Sequence, residues 1–263
     1  AAIFMGGKAA AKAAVGSLIA VIGDEDTVTG IAISSDTPVV GEFTCSDPML
    51  NQLHSNIYWT QRANFIDIPT DCPQRDERLG WTGDAQAFCP AAMFNYDCLA
   101  FFKSWLGSMR SDQLPDGRIP NIIPDVMGSG NSPGWMDAAT IIPWELYVRT
   151  GDVEILSENY SMMERLVRWY REQAKDGLLP DKLGFGDWLQ PYAERTSGDT
   201  SRALIATAFY ARSAWILSQA AQILDRTSDA DRYEAETEAV KRAFAEYYFS
   251  KNGKLKNVDA ETQ

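Results

Sequence analysis

Residues 200–224 read TSRALIATAFYARSAWILSQAAQIL, and this stretch decides the fold class. Its apolar residues recur at intervals of three and four, which is the period of an α-helix with one buried face. Alanine occupies the positions where a neighbouring helix packs closely. The pattern therefore predicts a long, partly buried helix over residues 200–226.

The same helical spacing recurs in most of the chain after residue 45. Helices are predicted near residues 84–95, 97–113, 137–150, 152–175 and 228–248. A further helix begins within SDPMLNQLHSNIYWTQRANF, where Ser46 or Asp47 can cap the helix and Pro48 suits its first turn. Parallel strands do not alternate with these helices, which excludes a Rossmann or TIM-barrel architecture.

The region before the first helix has a β pattern. Residues 28–45, VTGIAISSDTPVVGEFTC, combine β-branched residues with short alternation and a turn signal, which predicts two strands at the end of a β-domain. The sequence therefore predicts a mainly α protein with a β-rich segment over residues 1–45 and a helical domain over residues 46–263.

Composition limits the possible partners. With 45% hydrophobic and 11% aromatic residues, the chain can bury a sizeable core. A net charge of −12 argues against binding to nucleic acid or to anionic membrane surfaces. The alanine-rich N-terminal stretch is interrupted by Lys8 and Lys12, so it is too broken to span a membrane, and it lacks the compact apolar run of a signal peptide.

Cysteine and histidine usage predicts neither a metal site nor a bound cofactor. The four cysteines form no C-x-x-C pair, and His54 is the one histidine, so the pattern of a zinc site is missing. A chain of this size does not need disulfides to stabilise it, and the cysteines are interpreted as mostly buried thiols.

Three connections between the predicted helices are long and carry polar residues. They cover residues 65–83, 114–136 and 176–199, and they are rich in Gly, Pro and Trp as well as in Asp, Arg and Glu. Long loops without secondary structure are usually functional or disordered, and this composition favours function. Long loops that alternate with short ones suggest an α/α toroid with a site at one end.

The first of these loops contains the residue types that glycoside hydrolysis needs. Within IPTDCPQRDERLGWTGDAQ, residues 68–86, Arg75 offers a rigid fork for hydroxyl groups and Trp81 offers a wall for a sugar ring. Hydrolysis also needs a carboxylic acid that protonates the leaving oxygen and a second carboxylate. From the residues alone, either Asp76 or Glu77 could be the acid, and Arg75 could instead form a plain ion pair with one of them.

The other two loops repeat a combination of tryptophan and aspartate. NSPGWMD places Trp135 near Asp137, and GFGDWLQP places Trp188 directly after Asp187. Tryptophan beside a carboxylate and glycine suits sugar binding, although each tryptophan taken singly could also belong to the core.

These motifs resemble a known family. DCPQRDERLGWTGDAQ closely resembles the signature of bacterial α-L-rhamnosidases of glycoside hydrolase family 78, and GEFTCSDPMLNQLHSNIYWTQRANFIDIPT and GDWLQP resemble the same family in the same order. The resemblance extends from about residue 28 to the end of the chain. It implies a partial (α/α)6 barrel that follows β-sandwich domains, and inverting hydrolysis of terminal α-L-rhamnosides without a cofactor.

The resemblance also implies roles for individual residues. Glu77 matches the general acid. The residues matching those that hold the rhamnose hydroxyl groups are Asp71, Arg75 and Asp84, and those matching the aromatic walls are Trp81, Trp135 and Trp188. Rhamnose is a 6-deoxy sugar, so its methyl group suits an apolar wall.

One part of the family pattern is missing from these residues. The family's catalytic base is a glutamate in the second half of the barrel, near a histidine that contacts the sugar, whereas His54 lies in the first predicted helix. The base is therefore expected beyond Gln263, and a half-barrel is expected to expose apolar helix faces that favour self-association. Three alternatives stay open: another (α/α)6 glycosidase or lyase, a sugar-binding module without catalysis, and a purely structural fragment.

Overall fold

The computed structural model describes residues 19–22, 30–33, 35, 37–72, 77–128, 130, 132–187 and 200–258. These residues contain two strands and seven α-helices. They are β1 (Ile19–Ile22), β2 (Gly30–Ile33), α1 (Pro48–Asn64), α2 (Thr82–Asn95), α3 (Leu99–Asp112), α4 (Ala138–Thr150), α5 (Val153–Gln173), α6 (Arg202–Ile223) and α7 (Thr227–Tyr248). Helices α2 to α7 begin and end within three residues of the predicted bounds.

The strands differ from the prediction of a pair within residues 28–45. Strand β2 lies in that range, but its antiparallel partner β1 lies upstream, with Ile19 opposite Ile33. Residues 38–40 bond instead to the connection between α2 and α3, because Val40 N–H donates to Asn95 O over 3.0 Å and Asp97 N–H donates to the carbonyl of Pro38 over 2.8 Å. This segment is extended without forming a strand with β2.

The described residues divide into two compact units. The first contains the residues up to Trp81 together with Phe88–Trp105, and the second contains Thr82–Ala87 and the residues from Leu106 onward. In the first unit, Asp47 rather than Ser46 caps α1, since its side chain accepts a hydrogen bond from Met49 N–H over 2.8 Å. Pro48 occupies the first turn, as predicted.

Aromatic rings form the core of the first unit. Phe65, directly after α1, stacks on Phe101 with ring centroids 4.7 Å apart and meets Phe102 edge to face. Beside them the buried Gln61 amide donates to Ala92 O over 3.1 Å and to Cys98 Sγ over 3.3 Å. The side-chain amide thus satisfies polar groups where α1 meets the end of α2.

The second unit is organised around α6, the helix of the stretch that decides the fold. Helix α6 packs against α4, α5 and α7, and the strongest contact is with α7. Its buried face includes four alanines, Ala206, Ala214, Ala220 and Ala221. At the α5–α7 contact Arg171 pairs with Glu236 over 2.6 Å, and Tyr210 on α6 donates to the same carboxylate. Small residues allow the close helix packing that the sequence predicted.

One face of α1 exposes a row of apolar side chains. Met49, Leu50, Leu53 and Ile57 are exposed to 79%, 49%, 53% and 37%. Contiguous apolar surface of this kind is typical of faces that contact another protein segment. Self-association through such a face stays a prediction. Among the described residues, no helix has both the length and the apolar character needed to cross a membrane.

The four cysteines all lie within the described residues and form no disulfide, which confirms the sequence interpretation. Burial raises the pKa of the Cys98 thiol to about 12. Cys98 therefore favours the folded state below the ordinary thiol pKa of about 8.5, and this contribution is lost as the pH rises from there toward 12.

We expect a disulfide reagent at pH 8 to label the half-buried Cys45 quickly and Cys98 only after unfolding, because the thiolate is the reactive form and Cys98 is buried. Mass spectrometry of peptides from a time course measures each rate. A Cys45→Ser variant should lose the fast phase. Equal rates at Cys45 and Cys98 in the folded protein at pH 8 would contradict this expectation.

Candidate active site

In the first unit, the loop after α1 is tied to the end of that helix. Thr70 Oγ1 donates to Asn64 Oδ1 over 2.9 Å, and Asp71 N–H donates to Leu79 O over 3.1 Å. Residues 73–76 lie outside the described residues, and with them the predicted Arg75 and the alternative acid Asp76. The backbone bond holds Asp71 next to Leu79.

Glu77 and Trp81 are in direct contact. The indole Nε1–H of Trp81 donates to Glu77 Oε1 over 2.8 Å, and both side chains are half-buried. Between them Arg78 adopts a left-handed backbone conformation with φ of 50°, which side chains other than glycine adopt at a cost. The bond fixes the orientation of the carboxyl group against the indole ring.

Asp71 lies close to this pair. The buried Cys72 thiol donates to Asp71 Oδ2 over 3.0 Å. Asp71, Cys72 and Glu77 each present one potential metal-ligand atom, and these three atoms lie within 4.8 Å of one another. The two carboxyl groups that the sequence assigned to sugar binding and to catalysis are thus neighbours in the structure.

In the second unit, the start of α2 is fixed to a loop carbonyl. Thr82, fully buried, donates to Asn121 O from its backbone N–H over 2.9 Å and from its hydroxyl over 3.1 Å. The Asp84 carboxylate follows in the first turn, where the helix dipole favours negative charge. Gly83 lies directly under the indole of Trp135, since a Cβ at this position would lie 2.8 Å from the ring.

The turn that carries Trp135 packs against the third long loop. Trp135 N–H donates to Ser132 O over 3.0 Å, and Phe185 N–H donates to Ser132 Oγ over 2.8 Å. The rings of Trp135 and Phe185 meet edge to face, with centroids 5.4 Å apart. Two of the three long loops of the sequence therefore meet at Trp135.

Asp137 and Asp187, the two aspartates near the loop tryptophans, have internal partners. Asp187 accepts hydrogen bonds from Thr200 N–H over 3.2 Å and from its hydroxyl over 3.1 Å, which ties the loop to the start of α6. Asp137 is fully buried and accepts hydrogen bonds from Gly134, Tyr170 and Ser213. Burial raises the pKa of the Asp137 carboxyl group above its ordinary value, and these hydrogen bonds counteract only part of that rise.

Comparison with known protein families identifies the family of this chain. The family model for the bacterial alpha-L-rhamnosidase 6 hairpin glycosidase domain matches residues 38–263. The chain belongs to this family.

Curated relatives of the rhamnosidase family are much longer than this chain. It is 50% identical over 236 residues to an alpha-L-rhamnosidase of Formosa agariphila, covering 89% of this chain and 25% of that protein. It is 43% identical over 235 residues to an alpha-L-rhamnosidase of an Alteromonas species, covering 87% of this chain and 25% of that protein. The chain spans about a quarter of the length of these relatives.

A solved rhamnosidase structure has the same fold. The Streptomyces avermitilis alpha-L-rhamnosidase, crystallised in complex with L-rhamnose, matches with a TM-score of 0.81 at 36% identity, over 89% of this chain and 22% of that one. The predicted fold class, a mainly α chain that forms part of a six-hairpin barrel, is confirmed. The domain bounds at residues 45 and 46 stay a prediction.

The structure places the predicted rhamnosidase site residues in two groups. Asp71, Glu77 and Trp81 cluster in the first unit, while Asp84 and Trp135 lie near Gly83 in the second. Arg75 and Trp188 lie outside the described residues. The prediction that all these side chains line one cleft stays a prediction.

Sequence reasoning missed several residues that shape the surroundings of Trp135 in this rhamnosidase domain. They are Gly83, Gln86, Ser132 and Phe185. The one available signal was the occurrence of glycine and serine next to the aromatic residues of the loops. Their partners are distant in the sequence, so the spacing of residues could not reveal them.

Proposed function

We propose that this chain is the N-terminal part of the catalytic domain of an α-L-rhamnosidase that hydrolyses terminal α-L-rhamnosides with inversion. The observation that carries the proposal is the contact between Glu77 and Trp81, in which an indole N–H donates to a carboxyl oxygen over 2.8 Å. This contact lies inside the motif that resembles the family signature. It supports the proposal because, with Glu77 as the proton donor, the carboxyl group would be held against an aromatic surface.

In the proposed reaction Glu77 acts as the general acid. Its proton passes to the glycosidic oxygen as the bond from that oxygen to the anomeric carbon breaks. A second carboxylate takes a proton from water, and the water oxygen attacks the anomeric carbon from the opposite face. Asp71, Arg75 and Asp84 hold ring hydroxyl groups, while Trp81, Trp135 and Trp188 cover the apolar face and the methyl group.

The spacing of the carboxyl groups argues against Asp71 as the second carboxylate of an inverting pair. Inverting glycosidases separate their two carboxyl groups by about 6.5–9.5 Å to admit a water molecule. Asp71 and Glu77 have carboxyl oxygens within 4.8 Å of each other, which is too close for that purpose. The resemblance to the family implies that the second carboxylate of the proposed mechanism lies beyond Gln263.

The test uses the full-length enzyme and a panel of aryl glycosides. We expect release of nitrophenol from p-nitrophenyl α-L-rhamnoside and little release from the glucoside, galactoside or mannoside. Proton NMR during the first minutes should show β-L-rhamnose as the first product, because inversion changes the anomeric configuration. First appearance of α-L-rhamnose would contradict inversion. Binding of rhamnose without any turnover would contradict the proposed hydrolysis and would indicate a sugar-binding module instead.

A further inference from the structure

We propose that the buried carboxylate of Asp137 is a positioning residue that holds Trp135 in place as a wall of the sugar site. The inference rests on the proposed function, because it assumes that Trp135 contacts the sugar. Asp137 is fully buried, so it acts through the turn that carries Trp135.

The contact between Asp137 and the turn is a single backbone bond. Gly134 N–H donates to Asp137 Oδ2 over 2.8 Å, one residue before Trp135. Gly134 has φ of 91°, a conformation that favours glycine, and its carbonyl accepts a hydrogen bond from the Gln86 side-chain amide. The residue before the tryptophan is therefore held at both its N–H and its carbonyl.

The ring of Trp135 is confined on the other sides. Gly83 leaves no side chain between α2 and the indole, and Phe185 meets the indole edge to face. A side chain confined in this way follows any movement of its own backbone. Loss of the bond to Gly134 would therefore displace the ring.

The remaining bonds of Asp137 connect the turn to the helical core. Tyr170 OH on α5 donates to Oδ2 over 2.7 Å, and Ser213 Oγ on α6 donates to Oδ1 over 2.5 Å. Ser213 Oγ also shares a hydrogen bond with Thr140 Oγ1 over 2.8 Å. These donors offset part of the cost of burying a carboxylate and anchor it to two helices of the core.

An asparagine at residue 137 can preserve the contact with Gly134. Its amide oxygen can accept from Gly134 N–H and Tyr170 OH, while its amide nitrogen donates to Ser213 Oγ. The Ser213 hydroxyl can then donate to Thr140 Oγ1, because either oxygen of that pair can be the donor. Asparagine should thus preserve the position of Trp135, whereas alanine at residue 137 removes the acceptor.

The test is a double-mutant cycle in the full-length enzyme with p-nitrophenyl α-L-rhamnoside. We expect Asp137→Ala to lower kcat/KM by about 10- to 100-fold, mainly through KM, since misplacement of a binding group is costly. In a Trp135→Ala background the same change should lower kcat/KM less than about twofold, because the wall is already lost. Asp137→Asn should stay within about threefold of the unmodified enzyme.

Tyr170→Phe is the matched control, since it removes one bond to the carboxylate but keeps the bond to Gly134. It should lower Tm without changing kcat/KM. Equal losses from Asp137→Ala in both backgrounds, or an asparagine variant as impaired as the alanine variant, would overturn the proposal. If Asp137→Ala fails to fold, Gln86→Leu removes the bond on the other side of Gly134 and should show the same dependence on Trp135.

A second readout separates this proposal from the proposed function. The protein is labelled with 5-fluorotryptophan, and Trp135→Phe identifies the fluorine signal of Trp135. Asp137→Ala should shift or broaden that signal, while Asp137→Asn and Tyr170→Phe should leave it in place. An unmoved signal in Asp137→Ala would overturn the positioning role even in an active enzyme. A displaced signal in an enzyme that cleaves no rhamnoside would overturn the function instead.

Discussion

Glu77→Gln in the full-length enzyme is expected to lower kcat/KM by about 10²–10⁴-fold on rhamnosides with poor leaving groups. Such leaving groups need a proton as the glycosidic bond breaks, and glutamine has none to give. The expected loss on activated aryl rhamnosides is smaller, because nitrophenolate leaves without protonation. Kinetics on an alkyl rhamnoside and on p-nitrophenyl α-L-rhamnoside measure the two losses.

Glutamine is the most informative replacement for Glu77 because its amide oxygen can still accept the hydrogen bond from the Trp81 indole. The geometry is kept and only the proton is removed. Glu238→Gln is the matched control, since it makes the same chemical change at an exposed site on α7 that pairs with Lys241. The Glu238→Gln variant should have an unchanged kcat/KM on both substrates. Small and equal losses on both substrates from Glu77→Gln would remove Glu77 from the role of general acid.

The helices could be predicted because the information that specifies them is local. Capping by Asp47, the left-handed Gly151 that ends α4 and the three-four spacing of α6 all act within a few residues. The strands were harder to predict. Residues 38–40 have β-branched residues, yet their hydrogen bonds go to Asn95 and Asp97, and no local pattern specifies partners so distant in sequence.

The contacts of the candidate site are likewise of two kinds: local ones, which the sequence could predict, and distant ones, which it could not. Glu77 and Trp81 are four residues apart, so a short motif could contain both partners of the bond between them. Gln86 reaches Gly134 across 48 residues and Asp137 reaches Ser213 across 76, and these contacts depend on how the helices pack. Asp137 illustrates the difference, because its position near Trp135 in the sequence suggested sugar binding, whereas the structure buries it beneath the turn.

The 263-residue chain by itself is expected to show no enzymatic hydrolysis of rhamnosides. Inversion needs two carboxyl groups about 6.5–9.5 Å apart, and Asp71 lies too close to Glu77 to be the second of them. Asp84 is proposed to hold a hydroxyl group, and the family pattern places the base beyond Gln263. The chain also spans only about a quarter of the length of its curated relatives.

The purified chain is assayed on p-nitrophenyl α-L-rhamnoside beside the full-length enzyme at equal molar concentration. A mock purification from cells that lack the chain serves as the blank, since any rate it shows comes from a contaminant. Rhamnose binding by the chain is measured separately by calorimetry, because half of a subsite can bind sugar weakly without turning it over. The apolar face of α1, with Met49 exposed to 79%, makes light scattering a necessary check on association. Turnover comparable to that of the full-length enzyme, and absent from the mock preparation, would place the second carboxylate within these residues and contradict the proposed mechanism.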